Sequence, residues 1–519
     1  MKKRILMLGC GVMQAVAIRS AKERGWEVVA VDGNPEAPFR LLADRFEPID
    51  LKDIERLKKL ALSLKENGGL DAVFTAATDF SVPVAAIAET CGLPGHSLEA
   101  AINASDKLRM RECFRKAGVP SPRFAGIDRS SVCEASVLMQ QENISYPVVV
   151  KPVDNMGARG CRRADSPDSL REALEDALCF SRTGRAIVEE YMDGPEFSLE
   201  ALVFDNEIRM TGFADRHIAF SPYFVEMGHT IPTSLSASDR AQIEAVFFRG
   251  IRALGLSHGV AKGDLKLTDS GPMIGEIAGR LSGGFMSGWT FPYSSGIPLT
   301  ANALDLAAGL PPSALTRLHD WTSAERAWIS IPGSVRYVSG YEQAKSIPYL
   351  KDIFPRVSSG DTVRFPLNNV EKCGNCLSAA PDRHAAVDAC LKAVRTICVR
   401  LEPFNADTDA YLSAGSATST SFPPDAFPVS RIPEDDSWES TGTLAQFQIP
   451  ASICGCLDTC FDWYGRSLRD AIRDMCVIEP ALVPFLREAP LSIRIQAWNA
   501  LVRGGIQGML YVFDCHSHA

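Results

Sequence analysis

Apolar and polar residues alternate in two short runs, GDLKLT and PMIGEIA, within residues 263–278, and this period of two predicts the strands of a β-hairpin. The tripeptide Asp269-Ser270-Gly271 between the runs supplies a turn. With the turn centred on Ser270, Asp264 faces Glu276, and Lys266 and Ala278 share their face. Like charges directly opposite each other destabilise a sheet. The pattern therefore predicts a cation between the carboxylates, such as Mg2+ carrying a nucleotide.

The same carboxylates could instead be solvated on an exposed sheet face. The residues after the hairpin weaken that alternative, because Arg280 and then Gly283-Gly284 combine a positive charge with a permissive backbone. This combination suits the approach of an anionic substrate.

The N-terminal residues alternate predicted strands, RILMLG, WEVVAVD and LDAVFTAAT, with predicted helices, which is typical of a parallel α/β domain. Gly9-Cys10-Gly11 with Asp32 is similar to a dinucleotide-binding fingerprint, but Gln14 stands in place of its third glycine. We therefore favour a Rossmann-like turn with an architectural role over a nicotinamide site.

A second set of polar residues follows a new helix that opens at Ser105-Asp106-Lys107, with Ser105 as the expected N-cap. The strand YPVVVKP ends in Lys151, and the loop at 154–160 after it contains Gly157 and Gly160. A lysine beside a glycine-containing loop can bind phosphate oxygens through its ammonium and through backbone N–H groups. The alternative is a surface charge at a strand end.

The segment AIVEEYMDGPEFSLEALVFD, residues 186–205, predicts a strand-edge linker followed by a half-buried strand. Backbone groups from Glu189 to Met192 could meet a purine, and Glu196 could accept ribose hydroxyls. On these residues alone, an amphipathic edge strand explains the pattern equally well.

Composition narrows the class of partner. The chain has 519 residues, 46% hydrophobic content and a formal charge of -9 with no long basic run, which argues against a nucleic acid or an anionic membrane. No apolar run approaches the roughly 18 residues that span a bilayer, and the apolar stretch after Arg4 is too short for a signal peptide. Fifteen cysteines without a small-scaffold framework favour reduced thiols and a cytoplasmic location.

The C-terminal third carries weaker signals. Residues 412–442 are rich in Ser, Thr, Pro and acid, which predicts a linker or mobile segment. Beyond it we expect helices near Arg466 to Cys476 and Ile493 to Arg503, and then a final strand, MLYVFD. We interpret Cys373-Gly-Asn-Cys376 as a turn, and a redox or half-zinc motif is the alternative. Four further cysteines and two histidines occur at irregular spacing, and we interpret the cysteines as ordinary reduced thiols. A Zn2+ site is the alternative for this irregular set: Cys454, Cys456, Cys460, Cys515, His516 and His518.

Taken in order, five segments resemble the ATP-grasp superfamily of ligases: SDK at 105–107, VVVKP at 148–152, DNMGARG at 154–160, VEEYMDGPEFSLE at 188–200 and GDLKLTDSGPMIGEIAGRLSGG at 263–284. The resemblance implies an α/β and α+β multidomain fold. Its expected parts are a Rossmann-like domain (1–104), two ATP-grasp subdomains (105–205 and 206–315), a small C-terminal α+β domain (316–411), the linker (412–442) and an unassigned α/β module (443–519).

The resemblance also implies roles for single residues. Lys107 and Lys151 would bind ATP, the 154–160 loop would close over its phosphates, and Glu189, Met192 and Glu196 would contact adenine and ribose. Asp264 and Glu276 would hold Mg2+, with Mn2+ as an alternative. FVEMGHTIP at 224–232 looks most like the amino-acid ligases, so Glu226 would attract an α-ammonium, His229 would steady the tetrahedral intermediate or its oxyanion, and Arg280 would hold carboxyl or acyl-phosphate oxygens. The alternative for His229 is an ordinary loop residue.

One position departs from the family pattern. Many members carry Asn two residues after the metal-binding Glu, whereas this chain has Ala278, whose methyl group cannot bind Mg2+. The number of metal ions therefore stays open.

The hypothesis is an ATP-dependent carboxylate-amine ligase that acts on an amino acid or small peptide and releases ADP and phosphate. A ligase or carboxylase like those of purine synthesis or carbamoyl-phosphate synthetase, a nucleotide-binding sensor and, last, a dehydrogenase are its rivals. The expected partners are small-molecule carboxylates and amines. Dimers are common in such families, so a homodimer is one alternative for the oligomeric state.

Overall fold

The computed structural model describes residues 2–205, 207–313, 315–414, 422–439 and 447–517. The chain folds into two compact units. The first unit comprises Met1–Ile218, Gly228–Glu325 and Ser378–Val387, and the second comprises Ala219–Met227, Arg326–Leu377 and Asp388–Ala519.

The N-terminal part of the first unit is the parallel α/β structure that the sequence predicts. Its elements are β1 (Arg4–Leu8), α1 (Val12–Glu23), β2 (Glu27–Asp32), β3 (Arg45–Pro48), α2 (Ile54–Glu66), β4 (Ala72–Phe74), α3 (Ser81–Cys91) and α4 (Leu98–Ser105). The strands pair in parallel in the order β3-β2-β1-β4.

The glycine-containing turn after β1 is filled by its own residues. Gln14 Oε1 accepts from the Gly11 backbone N–H at 3.0 Å, and a Cβ on Gly9 would lie 3.1 Å from the Gln14 side chain. Asp32 accepts from the Cys10 backbone N–H at 2.8 Å. Because Gln14 and Asp32 close the turn from within, the geometry supports the architectural interpretation.

An antiparallel sheet with covering helices comes next in the chain. Its elements are α5 (Lys107–Ala117), β5 (Phe124–Asp128), α6 (Ala135–Gln141), β6 (Val148–Pro152), β7 (Arg162–Ala164), α7 (Pro167–Phe180) and β8 (Arg185–Glu190), and the strand order is β5-β8-β6-β7. Ser105 ends the preceding helix, and Asp106 is the N-cap of α5 because its carboxylate accepts from the backbone of Leu108 and Arg109. The expected cap was therefore wrong by one residue.

The rest of the first unit is built on a larger antiparallel sheet. Its elements, some of which continue into the second unit, are β9 (Glu196–Phe204), β10 (Glu207–Ala219), β11 (Val225–Ile231), α8 (Ala237–Leu254), β12 (Gly259–Thr268), β13 (Gly271–Ala278), a π-helical turn (Met286–Thr290), α9 (Phe291–Ser295), α10 (Leu299–Ala307) and β14 (Thr322–Trp328). Strands β13, β12, β9 and β10 lie side by side in that order. Helix α8 packs on one face of them through Phe247 and Ile251.

The β12–β13 hairpin pairs Asp264 with Glu276, as the alternation predicts. The turn is tighter than expected, because Thr268 pairs with Gly271 and leaves two residues between the strands. A register shift beside Gly275 compensates for the missing residue. It also lets Ile274 and Ile277, three positions apart, both join the core under α8.

The second unit continues the chain with shorter strands and helices, a few of which begin or end in the first unit. They are β15 (Gly333–Ser339), α11 (Tyr341–Lys345), β16 (Leu350–Pro355), β17 (Thr362–Val363), β18 (Gly374–Ala380), α12 (Arg383–Thr396), β19 (Cys398–Leu401), α13 (Ala406–Ser413), β20 (Trp438–Glu439), β21 (Ile449–Pro450), α14 (Ala451–Cys454), α15 (Leu468–Ile478), α16 (Leu482–Glu488) and α17 (Leu491–Ser517). Strand β15 lies between β17 and β19.

The predicted final strand MLYVFD is wrong. Residues 509–514 belong to α17, which is interrupted at Gly505 (φ 63°, ψ -157°) and then continues. Every side chain from Met509 to Cys515 is buried, so the run is apolar on all sides, and periodicity cannot separate a buried strand from a buried helix in such a run. The expected α/β module is mainly helical over 447–517.

Part of the expected linker packs instead of standing free. Phe427 is fully buried and donates its N–H to the Val502 carbonyl at 3.0 Å, and the Ile432 N–H donates to Asn499 Oδ1 at 2.8 Å. Residues 415–421 and 440–442 of that segment lie outside the described residues.

All fifteen cysteines lie in the described ranges and are free thiols. The cysteines of the irregular set form no metal-ligating group among the described residues, and His518 lies outside them. None of the described helices has the length and apolar character needed to cross a membrane.

Candidate active site

Eight polar residues share the sheet face opposite α8 and form what we call the polar strip. They are Glu196, Ser198 and Glu200 of β9, Arg216 of β10, Lys262, Asp264 and Lys266 of β12, and Glu276 of β13. Alternate residues of a strand face the same side, and the register places Lys266, Asp264 and Lys262 beside Glu196, Ser198 and Glu200. The sheet thus gathers four carboxylates and four cations or hydroxyls on one surface.

Asp264 lies at the centre of the strip and is held on both oxygens. Ser198 Oγ donates to its Oδ1 at 2.6 Å, whereas its Oδ2 contacts Lys262 Nζ and lies 3.2 Å from Arg216 Nη1. Burial alone would raise the pKa of Asp264, but the charges of Arg216 and Lys262 outweigh it and lower the pKa to about 2. Asp264 is therefore ionised at neutral pH.

Glu276 is the more open member of the pair. Its side chain is 37% exposed, and Lys107 Nζ lies 3.5 Å from its Oε1. Burial raises its pKa, and the charges of Lys107 and Lys262 reverse that effect and lower it. Two facing carboxylates present the hard oxygen donors that Mg2+ prefers, so these residues fit the ion that the sequence predicts.

Lys107 joins this pair to the glycine-containing loop. Its ammonium donates to the Asn155 carbonyl at 3.0 Å, at the start of the 154–160 loop. Gly157 and Gly160 both have positive φ, 70° and 67°, and Asp154 anchors the loop by accepting from Ser181 Oγ at 2.9 Å. The loop is thus fixed at its base beside Lys107.

Lys151 is held by the carboxylate of Glu189. The distance from Lys151 Nζ to Glu189 Oε2 is 2.7 Å, and Arg111 Nε lies 2.8 Å from Glu189 Oε1. Burial raises the pKa of Glu189, but Arg111 and Lys151 lower it to about 2. Because the Glu189 carboxylate is buried between two cations, its side chain orients Lys151, and a contact with adenine would fall to its backbone.

Met192 and Glu196, which the sequence predicts as nucleotide contacts, both lie beside Lys266. Its ammonium donates to the Met192 carbonyl at 3.2 Å and lies 3.7 Å from Glu196 Oε2. Arg216 also pairs with Glu196. The structure therefore brings Met192 and Glu196 to one end of the polar strip.

The three predicted substrate residues have different surroundings. His229 is buried, with Nδ1 2.9 Å from Glu325 Oε2 and Nε2 3.3 Å from Ser198 Oγ. Arg280 is half-buried, and its Nη1 donates to the Leu281 carbonyl at 3.1 Å.

Glu226 belongs to the second unit. There its backbone N–H donates to Asn369 Oδ1 at 2.8 Å, and its carbonyl accepts from Lys372 Nζ at 2.7 Å. These contacts fix its main chain, and the role of its carboxylate stays a prediction.

Sequence reasoning did not single out Lys262, Arg216 or Ser198. Lys262 could have been found from the sequence, because it stands two residues before Asp264 and the alternation of GDLKLT, extended by one residue towards the N-terminus, puts it on the same face. Lys262 pairs directly with Ala278 in the hairpin register. An ammonium group therefore lies opposite the methyl group that replaces the usual Asn.

Comparison with known proteins identifies two domains in the chain. Residues 144–288 match the model of the ATP-grasp domain, and residues 327–402 match L-amino acid ligase C-terminal domain 2. An uncharacterized protein of Sinorhizobium fredii is 26% identical over 370 residues, 70% of this chain and 75% of that protein.

Two further proteins carry descriptive names. Carnosine synthase 1 of Gallus gallus is 27% identical over 332 residues, 60% of this chain but only 36% of the synthase. The chain thus spans little more than a third of the length of that relative. The crystal structure of an L-amino acid ligase from Bacillus licheniformis has a TM-score of 0.67 at 20% identity, covers 77% of this chain and 99% of that chain, and so shares the fold. The chain thus contains an ATP-grasp domain followed by an L-amino acid ligase C-terminal domain, and it is similar to ligases with the ATP-grasp fold.

Proposed function

We propose that the protein uses ATP to activate a carboxylate as an acyl phosphate, which an amine then attacks, and that the substrates are amino acids or small peptides. The observation that carries the proposal is the facing pair Asp264 and Glu276, bordered by the cations Lys107, Lys262 and Arg216. Phosphoryl transfer depends mainly on positioning and on the neutralisation of developing charge. This arrangement supplies both.

The proposed reaction has two steps. A carboxylate oxygen of the first substrate takes the terminal phosphoryl group of ATP, the bond between that phosphorus and the bridging oxygen breaks, and ADP leaves. The amine nitrogen of the second substrate then bonds to the acyl carbon, the bond to the phosphate oxygen breaks, and the nitrogen loses a proton. The carboxylate needs the first step because its own oxygen is a poor leaving group.

The residues of the strip have separate tasks in this proposal. Asp264 and Glu276 would hold Mg2+, which neutralises charge on ATP oxygens when bound. Lys151, held by Glu189, would bind phosphate oxygens, and Arg280 would hold the substrate carboxyl group. Closure of the 154–160 loop would exclude water and protect the acyl phosphate from hydrolysis.

The names of the relatives support the substrate class. One relative is a carnosine synthase and one structural neighbour is an L-amino acid ligase, and the second matched domain is named for such ligases. Glu226 would then attract the α-ammonium group of the amino-acid substrate. Both ring nitrogens of His229 already contact Ser198 and Glu325, so its direct contact with the tetrahedral intermediate stays a prediction.

A screen for ADP release tests the proposal. The purified chain is incubated with ATP and Mg2+ together with amino-acid pairs, phosphoribosyl amines or bicarbonate. We expect ADP release with amino acids. Release with bicarbonate alone would contradict the amino-acid proposal, and tight ATP binding without turnover on any carboxylate would favour the sensor.

A further inference from the structure

Four buried side chains form a continuous hydrogen-bonded path that ends at Asp264. Glu325 Oε2 lies 2.9 Å from His229 Nδ1, His229 Nε2 lies 3.3 Å from Ser198 Oγ, and Ser198 Oγ lies 2.6 Å from Asp264 Oδ1. Glu325 and Ser198 are fully buried, and His229 is 2% exposed. Buried polar groups of this kind depend on one another for their hydrogen bonds.

The direction of the hydrogen bonds follows from the groups themselves. An ionised carboxylate only accepts, so the single hydroxyl proton of Ser198 is directed at Asp264. The Ser198 oxygen must then accept from His229, which requires a proton on Nε2. The other ring nitrogen faces Glu325, and this contact fixes the orientation of the imidazole.

We infer that Ser198 is a positioning residue that couples His229 to Asp264, and that Glu325 secures the far end of the path. The inference rests on the proposed function, because it assigns Asp264 to the metal ion that carries ATP. His229 thereby acts on the metal site through Ser198. Neither Ser198 nor Glu325 carries a role from the sequence motifs.

The contacts of Asp264 explain why such a residue is needed. Lys262 and Arg216 both lie against Oδ2 and attract the carboxylate towards themselves. Ser198 holds Oδ1 from the other side. Without the serine hydroxyl, the carboxylate can rotate towards the two cations and is less available to a metal ion.

Direct titration with Mn2+ tests the inference without any turnover. Mn2+ binding is followed by water proton relaxation in the presence of a non-hydrolysable ATP analogue, for the wild type, Ser198→Ala, Glu325→Ala and the double variant. Residues that hold a metal ligand typically change metal affinity by about 10- to 100-fold when they are removed. We expect Ser198→Ala and Glu325→Ala each to weaken Mn2+ binding about tenfold.

The double variant shows whether Ser198 and Glu325 act along one path or affect metal binding independently. If both residues act through His229, the double variant binds Mn2+ no more weakly than the worse single variant. Glu325→Gln keeps a polar group that can still form a hydrogen bond with Nδ1 and should recover most of the affinity. Effects that add in the double variant, or an unchanged affinity in Glu325→Ala, would overturn the inference.

Ser294→Ala is the matched control. Ser294 is also fully buried, and its Oγ donates to the Trp321 carbonyl at 2.7 Å and accepts from Arg317 Nη2 at 3.4 Å, so its substitution also removes two hydrogen bonds, but outside the polar strip. We expect wild-type Mn2+ affinity. Ser198→Cys replaces the alanine variant if thermal unfolding shows that the latter is not folded.

Different results would contradict the proposed function and the inference about Ser198 and Glu325. Wild-type protein that binds no Mn2+ overturns the inference together with the metal assignment. Wild-type protein that binds Mn2+ with coupled losses in the variants, but ligates no tested substrates, contradicts only the proposed reaction.

Discussion

The two groups of buried charge in the first unit differ in how firmly their cations are held. Glu189 is 1% exposed and contacts Arg111 and Lys151 at 2.8 and 2.7 Å, so the triad is closed. Glu276 is 37% exposed, and its cation, Lys107, stands 3.5 Å away. Removing a cation from the closed triad would leave a buried charge unpaired, which is costly, whereas in our proposal a metal ion takes the place of Lys107 beside the more open Glu276.

This difference assigns the groups to separate tasks. The triad fixes Lys151, whereas the Asp264–Glu276 pair is the one that would bind the metal ion in our proposal, and Glu276 is its more exposed member. Substitutions in the two groups can test that division, and the largest effect is expected at the open pair.

Glu276→Gln should abolish most turnover. The amide keeps the shape of the side chain but removes the charge that would hold the metal ion, and we expect kcat to fall on the order of 1000-fold, the scale of a few kcal/mol of lost charge stabilisation. ATP binding should persist in part. Steady-state ADP release and equilibrium ATP binding measure the two effects.

Glu244→Gln is the control for that variant. Glu244 lies on α8 and pairs with Arg240 at 2.8 Å, away from the polar strip. Its kcat should stay within about twofold of the wild type. A similar loss in both variants would mean that general destabilisation, and not the open pair, explains the effect.

Glu189→Gln should mainly lower the free energy of unfolding, and its effect on metal affinity should be smaller. Loss of the carboxylate leaves the buried Arg111 without its ionic partner, a change worth about 3 kcal/mol. Urea denaturation measures it. Glu190→Gln changes the next residue of β8, whose carboxylate pairs with the half-exposed Arg123 at 2.7 Å, and should cost less than about 1 kcal/mol. Equal losses would contradict the closed triad.

The sequence predicted the open pair better than the closed triad. Alternation placed Asp264 opposite Glu276 because a hairpin is local, and its register follows from a few residues. The partnership of Glu189 with Arg111 joins β8 to α5, 78 positions apart in sequence (189 minus 111), and no local period reports such a contact.

The same reason explains why the contacts of His229 with Ser198 and Glu325 were not predicted, although His229 itself was. Ser198, His229 and Glu325 come from three strands that meet only in the folded sheet. The α17 error has a different cause, since a run that is buried on every side carries no period at all.

Stability should depend on pH through Glu189. Its folded pKa of about 2 lies below the unfolded value of about 4.3, so its contribution is complete above about pH 4.5 and is lost as the pH falls towards 2. Between about pH 5 and about pH 3 the wild type should lose about 1.5 kcal/mol more unfolding free energy than Glu189→Gln. Parallel pH curves for the two proteins would refute this assignment.

Ala278→Asn should produce the smallest change, in metal stoichiometry. In the wild type this position has no oxygen ligand and is paired with the cationic Lys262, so we expect one tightly bound Mn2+ per chain. An added carbonyl oxygen should raise the affinity for a second Mn2+ by several-fold, because affinity for a hard cation rises with the number of oxygen ligands. Ala278→Leu, which adds bulk without a ligand, should bind one ion. Two ions in the wild type would contradict the account.

Transfer of oxygen-18 tests the central claim most directly. A substrate amino acid labelled with oxygen-18 in its carboxyl group is incubated with ATP, Mg2+, an amine substrate and the protein, and the released phosphate is analysed by mass spectrometry. The acyl phosphate route predicts one labelled oxygen in each phosphate, formed in equal amount with ADP and the C–N-linked product. Unlabelled phosphate from a reaction that does form that product would contradict it.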